Sequence, residues 1–135
     1  MPDAPTPVEA ANAALYRAFE TGDVDLMEAV WDAEEPQALV CVHPGWPMLR
    51  GRAGVLRSWS AVMANTEYIQ FFLTDVQVVV NGDTAVVTCT ENVLTSADVG
   101  DNAAVVATNV FVRRADGWRL VVHHGSPVLG RLVHE

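Results

Sequence analysis

The alternation of apolar and polar residues changes period once along the chain, near Tyr68. Before that point the spacing is helical. Val8, Ala11, Leu15 and Phe19 recur at three- to four-residue intervals and make one apolar stripe. Thr6-Pro7-Val8-Glu9 supplies a hydroxyl cap, a proline at the first helical position and a glutamate placed to reach back to the cap, so a helix should begin there. Gly22 can take the left-handed conformation that ends it, and Asp23 is the next cap. The second helix, about Val24 to Trp31, faces inward through Met27, Val30 and Trp31 until Glu34-Glu35-Pro36 stops it. A short strand, Ala38 to Val42, runs into the turn His43-Pro44-Gly45-Trp46-Pro47. Arg52 to Asn65 then sets Val55, Leu56, Trp59, Val62 and Met63 on one side of a third helix.

From Tyr68 onward the period is two, the signature of half-buried strands. QFFLTDVQVVV and TAVVTCTENVLT flank Asn81-Gly82-Asp83, and AAVVATNVFVRR and WRLVVHHGS flank Ala115-Asp116-Gly117, which reads as two hairpins. Ser96 to Asn102 is a polar loop, and Leu129 to Glu135 trail beyond the last strand. Three one-sided helices followed by four long antiparallel strands bury themselves most economically if the sheet curls around the helices. The expected fold is an α+β cone with an open mouth, a single domain over residues 1–135 with its core at about 6–127.

Composition narrows the function. Seventeen acidic residues against eight basic ones give a formal net charge of −9, which repels phosphate backbones and anionic membranes. Nucleic acid is therefore excluded as a partner. No export signal is expected at the N-terminus and no run is long enough to span a membrane. Cys41 and Cys89 sit inside apolar runs as buried thiols do, which fits a reducing cytoplasm. No nucleophile motif, phosphate loop or dinucleotide fingerprint is present, and no cofactor is expected.

The stretches NAALYRAFETGDVDLM, VCVHPGW, GRAGVLRSW, VNGDTAVVT and ATNVFVRRADGWRLVVHHGSP, in that order, resemble the nuclear transport factor 2-like superfamily and within it the SnoaL-like branch. That resemblance implies a pocket between the helices and the concave sheet face. In ketosteroid isomerase, which shares the fold, an Asp is the base while a Tyr and a protonated Asp hold the oxyanion. By resemblance His43 stands at the position of the base, Asn109 at that of the protonated Asp and Leu15 at that of the Tyr. Leu15 cannot donate, and Tyr16 lies about 100° around the helix. Steroid isomerase chemistry by that mechanism is not expected.

Each candidate has a structural alternative. His43 is a base near neutral pH or a turn histidine capping a carbonyl. Asn109 contacts ligand or satisfies a sheet neighbour. His123 and His124, adjacent on a strand, point to opposite faces and cannot grip one ion, so no metal site is expected. His124 shares a face with the apolar Trp118, Leu120 and Val122 and is therefore the one expected inside. Tyr16, Trp31, Trp46, Trp59 and Met63 are ligand-wall candidates, though the tryptophans serve equally as core. Glu91 is either paired with an arginine or an edge residue meeting solvent. The expected function is a pocket for a small apolar molecule, with isomerase- or cyclase-type acid–base chemistry by His43, Asn109 and His124. The alternative is a non-catalytic binding or dimerisation module. In either case apolar side chains on both sheet faces imply a homodimer.

Overall fold

The computed structural model describes residues 6–96 and 103–129. Most of the polar loop and of the C-terminal segment lies outside those residues. Helix α1 (Pro7–Thr21) starts as its sequence requires: the Glu9 N–H donates to Thr6 Oγ1, and the Thr6 N–H donates to Glu9 Oε1 at 2.8 Å. Gly22 ends it with φ of +64°. Helix α2 (Val24–Val30) is capped by Asp23, whose carboxylate accepts from the Leu26 N–H. It stops one residue earlier than expected, because Trp31 is extended and bridges to Leu120.

The segment after α2 is held by charge. Arg52 donates to the carbonyls of Glu28, Trp31 and Asp32, the orphan acceptors at the end of the helix. The buried Asp32 carboxylate accepts both arms of Arg114, which holds it below its ordinary range. One 3-10 turn (Pro36–Ala38) leads to β1 (Val40–Val42), which is shorter than expected. A two-residue strand, β2 (Leu49–Arg50), pairs back onto β1 and precedes α3 (Arg52–Ala64).

The four long strands are β3 (Ile69–Asn81), β4 (Thr84–Thr95), β5 (Ala103–Arg114) and β6 (Gly117–Pro127). They form one six-stranded sheet in the order β2-β1-β6-β5-β4-β3, antiparallel except where β1 runs parallel to β6. The helices cover one face, and the buried inner row includes Val87, Cys89 and Glu91 on β4 and Val105, Ala107, Asn109 and Phe111 on β5. Two bulges interrupt the alternation. On β3, Asp75 and Val76 together oppose Cys89, with Asp75 at φ of +54°. On β6, Val110 faces Val122 but Phe111 faces Leu120, which leaves Val121 as an extra residue.

The second bulge reverses an expectation. Trp118 packs on the core and Leu120 is fully buried, as simple alternation requires. Beyond Val121 the phase shifts by one residue, so His123 is buried and pairs across from Asn109, while His124 is exposed on the outer face opposite Thr108. The inward histidine is His123.

Candidate active site

The corner that follows β1 is a tight turn. Pro44 and Gly45 occupy its centre, Gly45 at φ of +82°, and the Trp46 N–H donates to the His43 carbonyl at 2.8 Å. A proline followed by a residue at positive φ is the signature of a type II turn. The turn folds the Trp46 ring against His43, with centroids 4.8 Å apart, while Trp59 from α3 meets the other side of the imidazole at 4.6 Å. His43 is only 4 % exposed, and Trp46, at 42 %, forms a rim.

Behind that rim lies a cavity of about 230 Å³ between α1, α3 and the concave sheet face. Its walls are aromatic and aliphatic: Phe19, Trp46, Trp59 and Phe71, with Leu15 and Val105. Its polar groups are His43, Tyr16, Glu91 and His123, and none of the described arginines lines it. Tyr16 donates to Glu91 Oε2 at 2.7 Å and accepts from Asn109 Nδ2 at 3.1 Å. Asn109 Nδ2 also donates to Asn12 Oδ1 at 2.8 Å, and Asn109 Oδ1 lies 2.6 Å from His123 Nδ1. Because the amide nitrogen makes both donations, its oxygen is the acceptor, and His123 Nδ1 carries the proton. The Ser58 hydroxyl donates its one proton to the Val55 carbonyl, so the 2.9 Å contact to His43 requires Nε2–H to donate to Ser58 Oγ.

Burial sets the protonation states. Glu91 has no cationic partner, and desolvation pushes its carboxyl up to about 7 against the lowering effect of the Tyr16 hydrogen bond. The same cause pushes His43 down to about 4, and His123 down to about 3 with the help of its histidine neighbours. Both rings are neutral at physiological pH. Burial and the nearby Glu91 raise the Tyr16 phenol, and burial pushes the Cys41 thiol up to about 12, which removes it as a nucleophile.

The structure therefore brings His43, Tyr16, Trp46, Trp59 and Asn109 to one place and leaves the other candidates outside. Trp31 is fully buried between α2 and the sheet. Met63 packs in the core beside Val24 and Met27. His124 is on the opposite sheet face, for the reason of the bulge. Asn109 has no free donor for a ligand, since both of its donations are internal. Glu91 is neither arginine-paired nor at an edge; it is 4 % exposed and faces the cavity. Its alternation with Cys89 and Val93 is the signal that places it on the inner row. Asn12 and Ser58 carry weaker signals, as lone polar residues within apolar helix faces. Among the described residues no group of metal-binding side chains converges.

The sequence profile of the SnoaL-like domain matches residues 8–130. The chain belongs to the SnoaL-like family. It is 53 % identical to a proposed dehydratase of the NTF2-like family from Streptomyces avermitilis, covering 92 % of this chain and 95 % of that one with a TM-score of 0.84. A proposed calcium/calmodulin-dependent protein kinase type II association domain from Thiobacillus denitrificans is 36 % identical over 95 % of this chain and 99 % of its own, with a TM-score of 0.80. A proposed ketosteroid isomerase from Shewanella frigidimarina, 16 % identical over 90 % of this chain and 95 % of its own, shares the fold with a TM-score of 0.75. No curated protein matches the chain.

Proposed function

We propose that this SnoaL-like protein binds a small, largely apolar molecule in the aromatic cavity and moves a proton on it, as isomerases, cyclases and dehydratases do. The observation that carries this reading is Glu91, a carboxyl with no cationic partner in an apolar cavity, poised at about 7. A group that titrates near the working pH is present in both protonation states and can serve as acid and as base. Tyr16 holds its Oε2, and Asn109 holds Tyr16 and His123, so Asn109 is a positioning residue and not an oxyanion donor. His43, neutral with Nε2–H fixed by Ser58, has no partner at Nδ1, which can accept a proton or a hydrogen bond from the bound molecule. The relative described as a proposed dehydratase is consistent with elimination chemistry of this kind.

The test works without an identified substrate. Small carbonyl and hydroxy compounds are incubated with the protein in deuterated water, and exchange of their C–H positions is followed by NMR. Exchange that is catalysed by the wild type and lost in Glu91→Gln supports the reading. Compounds that bind without exchange would leave a binding module instead.

Self-association is part of the proposal. Phe72, Val79 and Val106 are 53 %, 63 % and 50 % exposed on the outer sheet face, which no helix among the described residues covers. The likeness to an association domain supports a twofold pairing through that face, and Val79→Arg should then yield a monomer by sedimentation. A reducing compartment such as the cytoplasm suits the two free, buried cysteines.

A further inference from the structure

We propose that the ligand class of this cavity is a small organic amine, bound as its ammonium ion with Glu91 as counter-charge and the aromatic walls as a cage. This rests on the cavity being the functional pocket and adds what the pocket selects; with an ammonium ion bound Glu91 is held as the carboxylate, so of the two roles proposed above it keeps that of base.

Tyr16 O–H is spent on Glu91, both N–H bonds of Asn109 on Asn12 and Tyr16, and His123 Nδ1–H on Asn109. His43 Nε2–H is spent on Ser58, and Ser58 O–H on Val55. Among the carboxyl and imidazole groups that line the cavity, with Glu91 ionised, three atoms have no partner among the described residues: Glu91 Oε1, His43 Nδ1 and His123 Nε2. All three are acceptors. Among the described side chains the only polar atoms that are both sealed and unpartnered are the indole nitrogens of Trp31 and Trp59. The three acceptors are therefore reached by open space, and their residues line the cavity. A wall whose carboxylate and imidazoles offer acceptors, with one indole N–H only at the exposed rim, is complementary to a ligand that brings donors, and –NH₃⁺ brings three.

Charge and shape agree. A carboxylate without a cation leaves half an ion pair inside the protein, which a ligand cation completes at short range. Tyr16, Phe19, Trp46, Trp59 and Phe71 present ring faces or edges around the space, and π faces attract ammonium groups. All eight basic residues are arginines, none of the described ones lines the cavity, and the net charge of −9 raises the local concentration of cations. A carboxylate or phosphate ligand would meet three lone-pair atoms and no positive charge. The volume of about 230 Å³ lies below the roughly 300–1,000 Å³ of pockets that take drug-sized ligands, which suits a small, compact molecule.

Four probes of one size separate the possibilities: benzylamine, benzyl alcohol, ethylbenzene and benzoate, titrated by calorimetry and tryptophan fluorescence at pH 8 into the wild type, Glu91→Gln and Trp46→Ala. Benzylamine is expected to bind most tightly and benzoate most weakly. Glu91→Gln should weaken benzylamine by about tenfold or more, the value of a charge-assisted hydrogen bond, and ethylbenzene by less than about twofold. Trp46→Ala, a change at the exposed rim that leaves the core intact, should weaken benzylamine as well. Ethylbenzene or benzoate binding as tightly as benzylamine, or benzylamine indifferent to Glu91→Gln, overturns the amine assignment while the pocket reading stands. Failure of all four to bind at millimolar concentration overturns both.

Discussion

Replacing Glu91 with glutamine isolates the energetic cost of the feature on which the site depends. The carboxyl sits at about 7 in the folded protein against 4.5 for the ordinary group, so the native state binds the proton more tightly than the unfolded chain does. Its contribution is therefore most favourable below pH 4.5 and is lost as pH rises through 7. That difference corresponds to about 3 kcal/mol, all of it expressed by pH 8. His43 and His123 act in the opposite sense: their pKa values of about 4 and 3 lie below 6.5, so stability falls as the unfolded chain gains their protons on the acid side. The wild type should thus lose stability in both directions from an optimum in the mildly acidic to neutral range. Glu91→Gln keeps the Tyr16 hydrogen bond and the acid limb but has no alkaline limb, so the comparison at each pH cancels the histidines. The other titratable groups beside Glu91 are Tyr16 and Cys89, both of which remain neutral through this range. Calorimetric melting at pH 4.5, 6 and 8 should show the variant gaining on the wild type by about 3 kcal/mol across the series, roughly 10 °C in Tm. A difference between the two proteins that does not change from pH 4.5 to pH 8 would refute the claim that this carboxyl is desolvated and unpaired.

Three further outcomes follow from the same contacts. Tyr16→Phe removes the hydrogen bond that lowers the Glu91 carboxyl, so a ¹³C-detected titration should find Glu91 higher still; a fall would mean that Tyr16 favours the protonated form. His123→Leu strands Asn109 Oδ1 in the core and should cost about 1–3 kcal/mol in denaturant unfolding, whereas His124→Leu on the exposed outer face should stay within about 0.5 kcal/mol; equal costs would argue against the bulge at Val121. Gly45→Ala meets no neighbouring atom but must hold φ of +82°, so it should cost about 1–2 kcal/mol and shift the near-ultraviolet signal of Trp46; an unchanged midpoint would show that the turn relaxes freely.

The helices were legible because their ends carry chemistry. Thr6 and Glu9 close a reciprocal cap, Gly22 ends α1, and Asp23 starts α2, all local interactions that a window of four residues contains. The hairpin turns were legible for the same reason. The β1–β2 pairing and the parallel contact of β1 with β6 were not, because two or three residues carry no periodicity and their partners are far away in sequence. Arg52 and Arg114 illustrate the limit: as residue types they are surface charges, and only the fold makes them the partners of the α2 C-terminus and of buried Asp32.

The site divides along the same line, and the division explains its chemistry. His43 and Trp46 were findable because a Pro-Gly turn fixes them relative to each other. Glu91 was visible as an acidic residue on an inner row, but sequence offers no way to see that no described arginine lines its cavity: Arg113, Arg114 and Arg119 lie towards the far, turn end of the β5–β6 hairpin, paired with Asp83, Asp32 and Asp116. With no described arginine at the cavity to oppose it, burial pushes the Glu91 carboxyl up to about 7. His123 depended on one extra residue in β6. Had β6 continued without the bulge, Asn109 would pair with Val122 and His124 would point inward opposite Ala107, and the chain of donors from His123 through Asn109 and Tyr16 to Glu91 would have no beginning. A binary pattern counts residues two by two, and a bulge is one residue that does not count; the inward placement of the His123 ring against Asn109 is the consequence of where that residue was placed.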